Sequence, residues 1–198
     1  MGINRELVLK QYPDVDKIKV LNWLAFSPFT EEEIDWIVEY KKKIEFTDAT
    51  ISGNFSINKT YRTTQVGWLH KNGETSWVYS RIVDCIIKAN KQLWNFDIFG
   101  MYESFQYATY HKGHHYDWHM DTGVGKYCRK ISASLQLTEP SKYEGCDLII
   151  KSNKDEIPAP KKRGQLIVFP SFLLHKVTPL TKGSRDSLVI WISGPPFR

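Results

Sequence analysis

Ile131, Ala133, Leu135 and Leu137 alternate with Ser132, Ser134 and Gln136, and this two-residue period constrains the chain more than any other feature. Successive side chains on a strand point to opposite faces, so such a run reads as a strand with one face on a core. Phe105, Tyr107 and Thr109 repeat the pattern against Gln106, Ala108 and Tyr110, and the turn His111-Lys112-Gly113 follows. Further strand-like runs cover 145–151, 165–169, 173–177 and 187–193, separated by loops bearing Pro and Gly. Many short strands without intervening helices predict a mainly β fold with flanking helices, a sandwich or jelly roll. Residues 55–69 are expected to add an edge strand.

Two helices are expected before residue 100. Thr30 and Glu33 form a capping box, followed by Ile34, Ile37, Val38 and Ile44 near the helical period, with Lys41 to Lys43 at the far end. A second helix is expected from Ser76 to Trp94, with Tyr79, Ile82, Val83, Ile86, Ile87, Leu93 and Trp94 as its apolar stripe. The 198 residues suit a single domain, with helical support over about 1–100 and a jelly-roll core over about 101–198.

A formal charge of +5 raises the question of nucleic acid. The basic residues fall in short separate clusters, 41–43, 126–130, 151–154 and 161–163, which read as solvated faces. Cys85, Cys128 and Cys146 cannot all pair with one another, and free thiols in a reducing compartment are expected. The N-terminal residues lack the apolar core of a signal peptide, and no uncharged run is long enough to span a membrane. A cytoplasmic location is therefore expected.

The chemistry concentrates in Tyr116-Asp117-Trp118-His119-Met120-Asp121. In an extended segment His119 and Asp121 project to the same side. With His175 they make two imidazoles and one carboxylate, the set that holds non-haem Fe(II) on one face of an octahedron. Asp117 shares their face and is a candidate to contact a ligand residue or the substrate, and Trp118 on the opposite face is expected in the core. His111, His114 and His115 lack a suitably spaced carboxylate and are expected at a loop or pocket mouth. A hairpin centred near Thr181 or Lys182 would pair Arg185 with a residue around Pro179, about 13 Å along the sheet from His175.

The ordered set His-x-Asp, His, then Arg ten residues on resembles the Fe(II)- and 2-oxoglutarate-dependent dioxygenases, in particular the prolyl 4-hydroxylase alpha-subunit-like, PKHD-type branch. The similarity runs from about Phe105 to Ile192. It includes Tyr110-His111-Lys112-Gly113, Tyr143-Glu144-Gly145-Cys146-Asp147-Leu148, Phe169-Pro170-Ser171, and His175-Lys176-Val177-Thr178-Pro179 followed by Lys182-Gly183-Ser184-Arg185. Gly145-Cys146 stands where the family commonly has Gly-Gly.

The resemblance implies a double-stranded β-helix of the cupin-like kind, with iron on His119, Asp121 and His175. It implies 2-oxoglutarate and O2 as co-substrates, with ascorbate as an accessory. Arg185 would take the distal carboxylate of 2-oxoglutarate, because a guanidinium fork meets a carboxylate with two hydrogen bonds. Tyr110, Ser187 and Gln136 would make further co-substrate contacts. The expected reaction is hydroxylation of an unactivated C–H bond, foremost in a prolyl residue of a protein or peptide, with a free amino acid or small metabolite as the alternative. A non-catalytic cupin-like metal binder is the competing class. A membrane partner is not expected, nucleic acid is disfavoured, and the oligomeric state is left open.

Overall fold

The computed structural model describes residues 23–49, 61–122, 128–152 and 155–196. Helices α1 (Glu31–Tyr40) and α2 (Ser76–Ala89) accompany fourteen strands among these residues. The first four are β1 (Leu24–Phe26), β2 (Thr47–Asp48), β3 (Arg62–Thr63) and β4 (Gln65–Leu69). The next five are β5 (Phe105–Tyr110), β6 (His115–His119), β7 (Arg129–Gln136), β8 (Tyr143–Gly145) and β9 (Leu148–Ser152). The last five are β10 (Asp155–Pro158), β11 (Leu166–Pro170), β12 (His175–Val177), β13 (Leu180–Gly183) and β14 (Arg185–Ser193).

The large sheet has the order β1-β11-β7-β14-β5-β4-β2, the smaller β10-β9-β12-β6-β3, and β13 pairs with β8 apart from both. All of these pairings are antiparallel. This is the expected mainly β, jelly-roll arrangement. The helical support and the core are interleaved, because β1, β2 and β4 from the first hundred residues join the large sheet. The edge strand expected over 55–69 is two strands: β3 edges the small sheet, while β4 lies inside the large one. Residues 55–60 lie outside the described residues.

The helices lie on one face of the large sheet. Thr30 caps α1 as expected, its N–H donating to Glu33 Oε2 at 2.9 Å and its Oγ1 accepting from Glu33 N at 3.3 Å. Ile34 and Ile37 then meet Tyr79, Ile82 and Ile86 of α2 over Ile131, Leu135, Leu188 and Ile190 of the sheet. Each fully buried aliphatic side chain contributes roughly 1.5–3 kcal/mol. The α2 stripe is narrower than expected, since Ile87 is 37% exposed. The helix continues past Ala89 as a π turn over Asn90–Trp94 and stops at Asn95 in the left-handed conformation.

The opposite face of the large sheet is buried but polar. Ser132, Ser134 and Gln136, the polar half of the β7 alternation, are buried rather than solvated. Buried polar side chains need partners, so a polar face turned toward the second sheet marks where a site is built. Among the described residues no helix is long and apolar enough to cross a membrane.

Candidate active site

His175 is paired directly opposite His119 in the β12–β6 ladder. That register removes the long sequence separation between them and brings their ring centroids to 4.1 Å. Asp121 lies just beyond the end of β6, in a bend rather than the continued strand expected for it. Its backbone N–H donates to Ser171 O at 2.9 Å, which turns the carboxylate toward the imidazoles. Asp121 Oδ1 is 3.8 Å from His119 Nε2, and Oδ2 is 3.5 Å from His175 Nε2. One potential ligand atom from each of the three falls within a mutual 4.8 Å.

Hydrogen bonds orient all three groups. His119 Nδ1 lies 2.7 Å from Asp117 O, and His175 Nδ1 lies 2.9 Å from Leu173 O. A carbonyl only accepts, so each Nδ1 carries the proton and each Nε2 presents a lone pair. Ser132 Oγ donates to Asp121 Oδ2 at 2.7 Å and sits 2.8 Å from Ser171 Oγ. Burial, and then the neighbouring His175, push the His119 pKa down to about 4. Burial alone would raise the Asp121 carboxyl; the two imidazoles, Ser132 and Arg129 outweigh it and hold the pKa below the usual value. Two imidazoles and a carboxylate are the donor set that suits a divalent non-haem iron.

The expected hairpin between His175 and Arg185 does not form. β13 is drawn off to pair with β8, and β14 enters the large sheet with Arg185 opposite Tyr110. His175 and Arg185 therefore line one pocket from different sheets, together with Tyr110, Ser187, His119 and Asp121. Arg185 is 3% exposed and has no ion pair among the described residues. Its Nε and Nη2 donate to Gln136 Oε1 at 3.2 and 2.8 Å, and its Nη1 lies 3.9 Å from Cys146 Sγ. A buried guanidinium without a counter-ion is costly, which fits an anionic ligand at this position.

Gln136 thus occupies one edge of the guanidinium, while its own Nε2 contacts Ser134 Oγ at 3.4 Å. The amide expected to touch the co-substrate instead anchors Arg185. Ser187 is buried on the Arg185 face of β14. Tyr110 is buried with Arg185 5.5 Å from its ring centroid, and burial raises its pKa so that the hydroxyl keeps its proton. Cys146 adopts φ 52 where a second glycine was the family habit, and its N–H still donates to Pro179 O at 3.2 Å.

Other expectations are corrected. Trp118 is outside the core, its ring covered by Lys176 Nζ at 4.3 Å and Lys151 Nζ at 5.6 Å from the centroid. The Asp117 side chain is exposed, and the residue acts through its backbone carbonyl. The loop position expected for His111 and His114 holds, between β5 and β6, while His115 opens β6; none of the three lines the pocket. Lys41 and the 161–163 cluster are tied down: Lys41 meets Asp186 at 2.9 Å, Lys161 meets Asp147 at 2.8 Å, and Arg163 meets Glu31 and Asp35 at 2.6 Å each. The free state expected for Cys85, Cys128 and Cys146 holds.

Sequence reading missed Ser132, Ser171, Arg62 and the Arg129–Glu103 pair, whose guanidinium also lies 3.8 Å from the Trp191 ring centroid. Only the buried polar alternation of β7 pointed toward one of them, Ser132.

The family model described as the 2OG-Fe(II) oxygenase superfamily matches residues 105–193, a span containing all seven of the predicted site residues. Residues 105–193 are thus similar to the 2-oxoglutarate–Fe(II) oxygenases. A PKHD-type hydroxylase of Gloeothece citriformis is 28% identical to this protein over 171 residues, covering 85% of the chain and 74% of the relative. A PKHD-type hydroxylase of Idiomarina loihiensis is 36% identical over 84 residues, 42% of this chain and 38% of that one. A prolyl-4-hydroxylase of Pseudomonas putida superposes with a TM-score of 0.69 at 22% identity, covering 93% of this chain and 98% of that one. A Trichoplax adhaerens prolyl hydroxylase, solved with a hypoxia-inducible-factor peptide fragment, gives 0.73 at 17% identity, over 97% and 94%. These two structures share the fold of this chain.

Proposed function

We propose that this protein is an oxygenase that hydroxylates a prolyl residue of a protein or peptide, and that residues 1–198 act as a single dioxygenase domain. His119, Asp121 and His175 hold the ferrous ion, and Arg185 holds the distal carboxylate of 2-oxoglutarate. The reading rests above all on the buried, unpaired Arg185 in the same pocket as the three ligands. A metal store has no use for such a guanidinium, so that feature argues against a non-catalytic binder.

Iron with 2-oxoglutarate and O2 supplies the oxidising power that no side chain has. The protein's own work is placement. Asp117 O and Leu173 O fix the imidazole tautomers, and Ser132 orients the carboxylate. Gln136 aims the guanidinium of Arg185, leaving Nη1 and the second Nη2 proton for a carboxylate. Tyr110 offers a protonated hydroxyl beside it, and Ser187 a second one on the neighbouring strand position. Phe169 packs edge-on against His175 with centroids at 4.9 Å and supports that imidazole.

The peptide preference draws on the Trichoplax relative, which was solved with a peptide fragment. The test is 2-oxoglutarate turnover against panels of prolyl peptides and free amino acids, with mass spectrometry for the gain of one oxygen. Oxygen gain on a peptide proline supports the proposal. Modification confined to free amino acids refutes the peptide preference, and no substrate-stimulated turnover with either panel refutes the activity.

A further inference from the structure

Arg62 is one of three guanidiniums lining the pocket, and the proposed function gives it no role. It sits on β3, the edge strand of the small sheet, beside Tyr116 of β6. It is nine-tenths buried and lines the same pocket as the three ligand residues. Its Nη2 donates to Gln106 Oε1 at 2.9 Å, a neutral partner. Its Nε is buried with no partner, and no ion pair involves it among the described residues. The guanidinium lies 4.5 Å from the Tyr116 ring centroid, and Tyr116 in turn stacks on His119 with centroids at 3.5 Å. Arg62 therefore stands one aromatic ring away from a metal ligand. Stacking on a phenol offsets only part of the cost of burying a charge.

The charge count of the pocket points the same way. Arg62, Arg129 and Arg185 face Asp121 and Glu103, which leaves one positive charge. A ferrous ion adds two, and doubly ionised 2-oxoglutarate removes two. The filled site still carries one positive charge. Arg129 is matched by Glu103, and Arg185 by the co-substrate, so the surplus falls on Arg62.

We infer that Arg62 binds a carboxylate of the substrate, so that this protein acts on an acid-bearing substrate in preference to its neutral counterpart. This rests on the iron and 2-oxoglutarate reading given above. The carboxylate has two sources with the same chemistry: the terminal carboxylate of a prolyl unit, or an acidic side chain next to it. Its oxygens would accept from the orphaned Nε and from the free Nη protons, the paired geometry that arginine offers and lysine does not.

The test uses the full-length protein under anaerobic conditions, loaded with Fe(II) and 2-oxoglutarate and followed by the metal-to-co-substrate charge-transfer band. Two probe pairs are titrated: N-acetylproline against N-acetylprolinamide, and capped Ala-Pro-Glu-Ala against capped Ala-Pro-Gln-Ala. The wild type should bind the acid of one pair at least roughly tenfold more tightly than its amide, and the responding pair identifies the source. Arg62→Gln should abolish that preference while leaving amide binding and the co-substrate band in place, and Arg62→Lys should keep only part of it. Equal or undetectable binding of acid and amide by the wild type overturns the inference, as does an undiminished preference in Arg62→Gln. A wild-type protein without any band overturns the iron and co-substrate reading, and this inference with it; a band without acid preference overturns the inference alone.

Discussion

Replacing Arg185 by methionine should move stability and co-substrate binding in different directions. In the free protein the guanidinium is buried, with Gln136 Oε1 as its main acceptor and no counter-ion among the described residues. Removing it leaves that amide oxygen unsatisfied, a loss of about 1–3 kcal/mol. It also removes an uncompensated buried charge, a penalty of several kcal/mol. The two effects nearly cancel, so the metal-loaded variant without 2-oxoglutarate should unfold at the same denaturant concentration as wild type or a slightly higher one. With 2-oxoglutarate the balance changes. Losing one partner of a buried charge pair costs roughly 2–5 kcal/mol, which weakens binding about 30-fold to several thousandfold. Equilibrium unfolding with Mn(II), at a 2-oxoglutarate concentration of about 100 times the wild-type Kd, should show wild type gaining about 2.7 kcal/mol. Arg185→Met should gain about 0.9 kcal/mol or less, and Arg185→Lys an intermediate amount. If Arg185→Met is stabilised by 2-oxoglutarate as much as wild type, the co-substrate binds elsewhere and the reading of this arginine fails.

Ser132→Ala removes the hydroxyl that orients Asp121 and should weaken anaerobic Fe(II) or Co(II) binding roughly 10- to 100-fold; unchanged affinity would show that the carboxylate needs no such guide. Gly183 has φ +78, and a Cβ there would meet Lys142 O at 2.1 Å, so Gly183→Ala should lower stability by about 2 kcal/mol or more in a denaturant titration. An unshifted midpoint would contradict the close approach of β13 to β8. The metal-free protein should lose stability as the pH falls from about 6.5, where unfolded His119 begins to take a proton, toward about 4, where the folded residue does so. Within that window the unfolded chain binds more protons, so stability rises with pH, by at most about 3 kcal/mol from this residue. A flat profile for wild type, indistinguishable from His119→Asn, would refute the cause assigned to that shift.

The clustering of His119 and Asp121 was legible in the sequence because the two are local and an extended segment would put them on one side. The capping box at Thr30 and the alternation over 131–137 were legible for the same reason: both act within a few residues. What failed was non-local. The chain between His175 and Arg185 looks like a hairpin until β8 competes for β13 and β5 for β14. Trp118 alternates correctly, but the outer face of the small sheet is covered by lysine stems rather than a second layer. Arg62 carries no local signal, since its meaning comes from Tyr116 and Gln106, which reach it only through strand pairing and side-chain contact across the pocket.

The most direct test is anaerobic titration of the purified protein with Fe(II) in the presence of 2-oxoglutarate. One ferrous ion should bind per chain and give a visible charge-transfer band, lost in His175→Ala and Asp121→Ala and weakened in Arg185→Met. A folded wild-type protein that develops no band, or one that keeps it after His175 is removed, would show that these three side chains do not hold the iron.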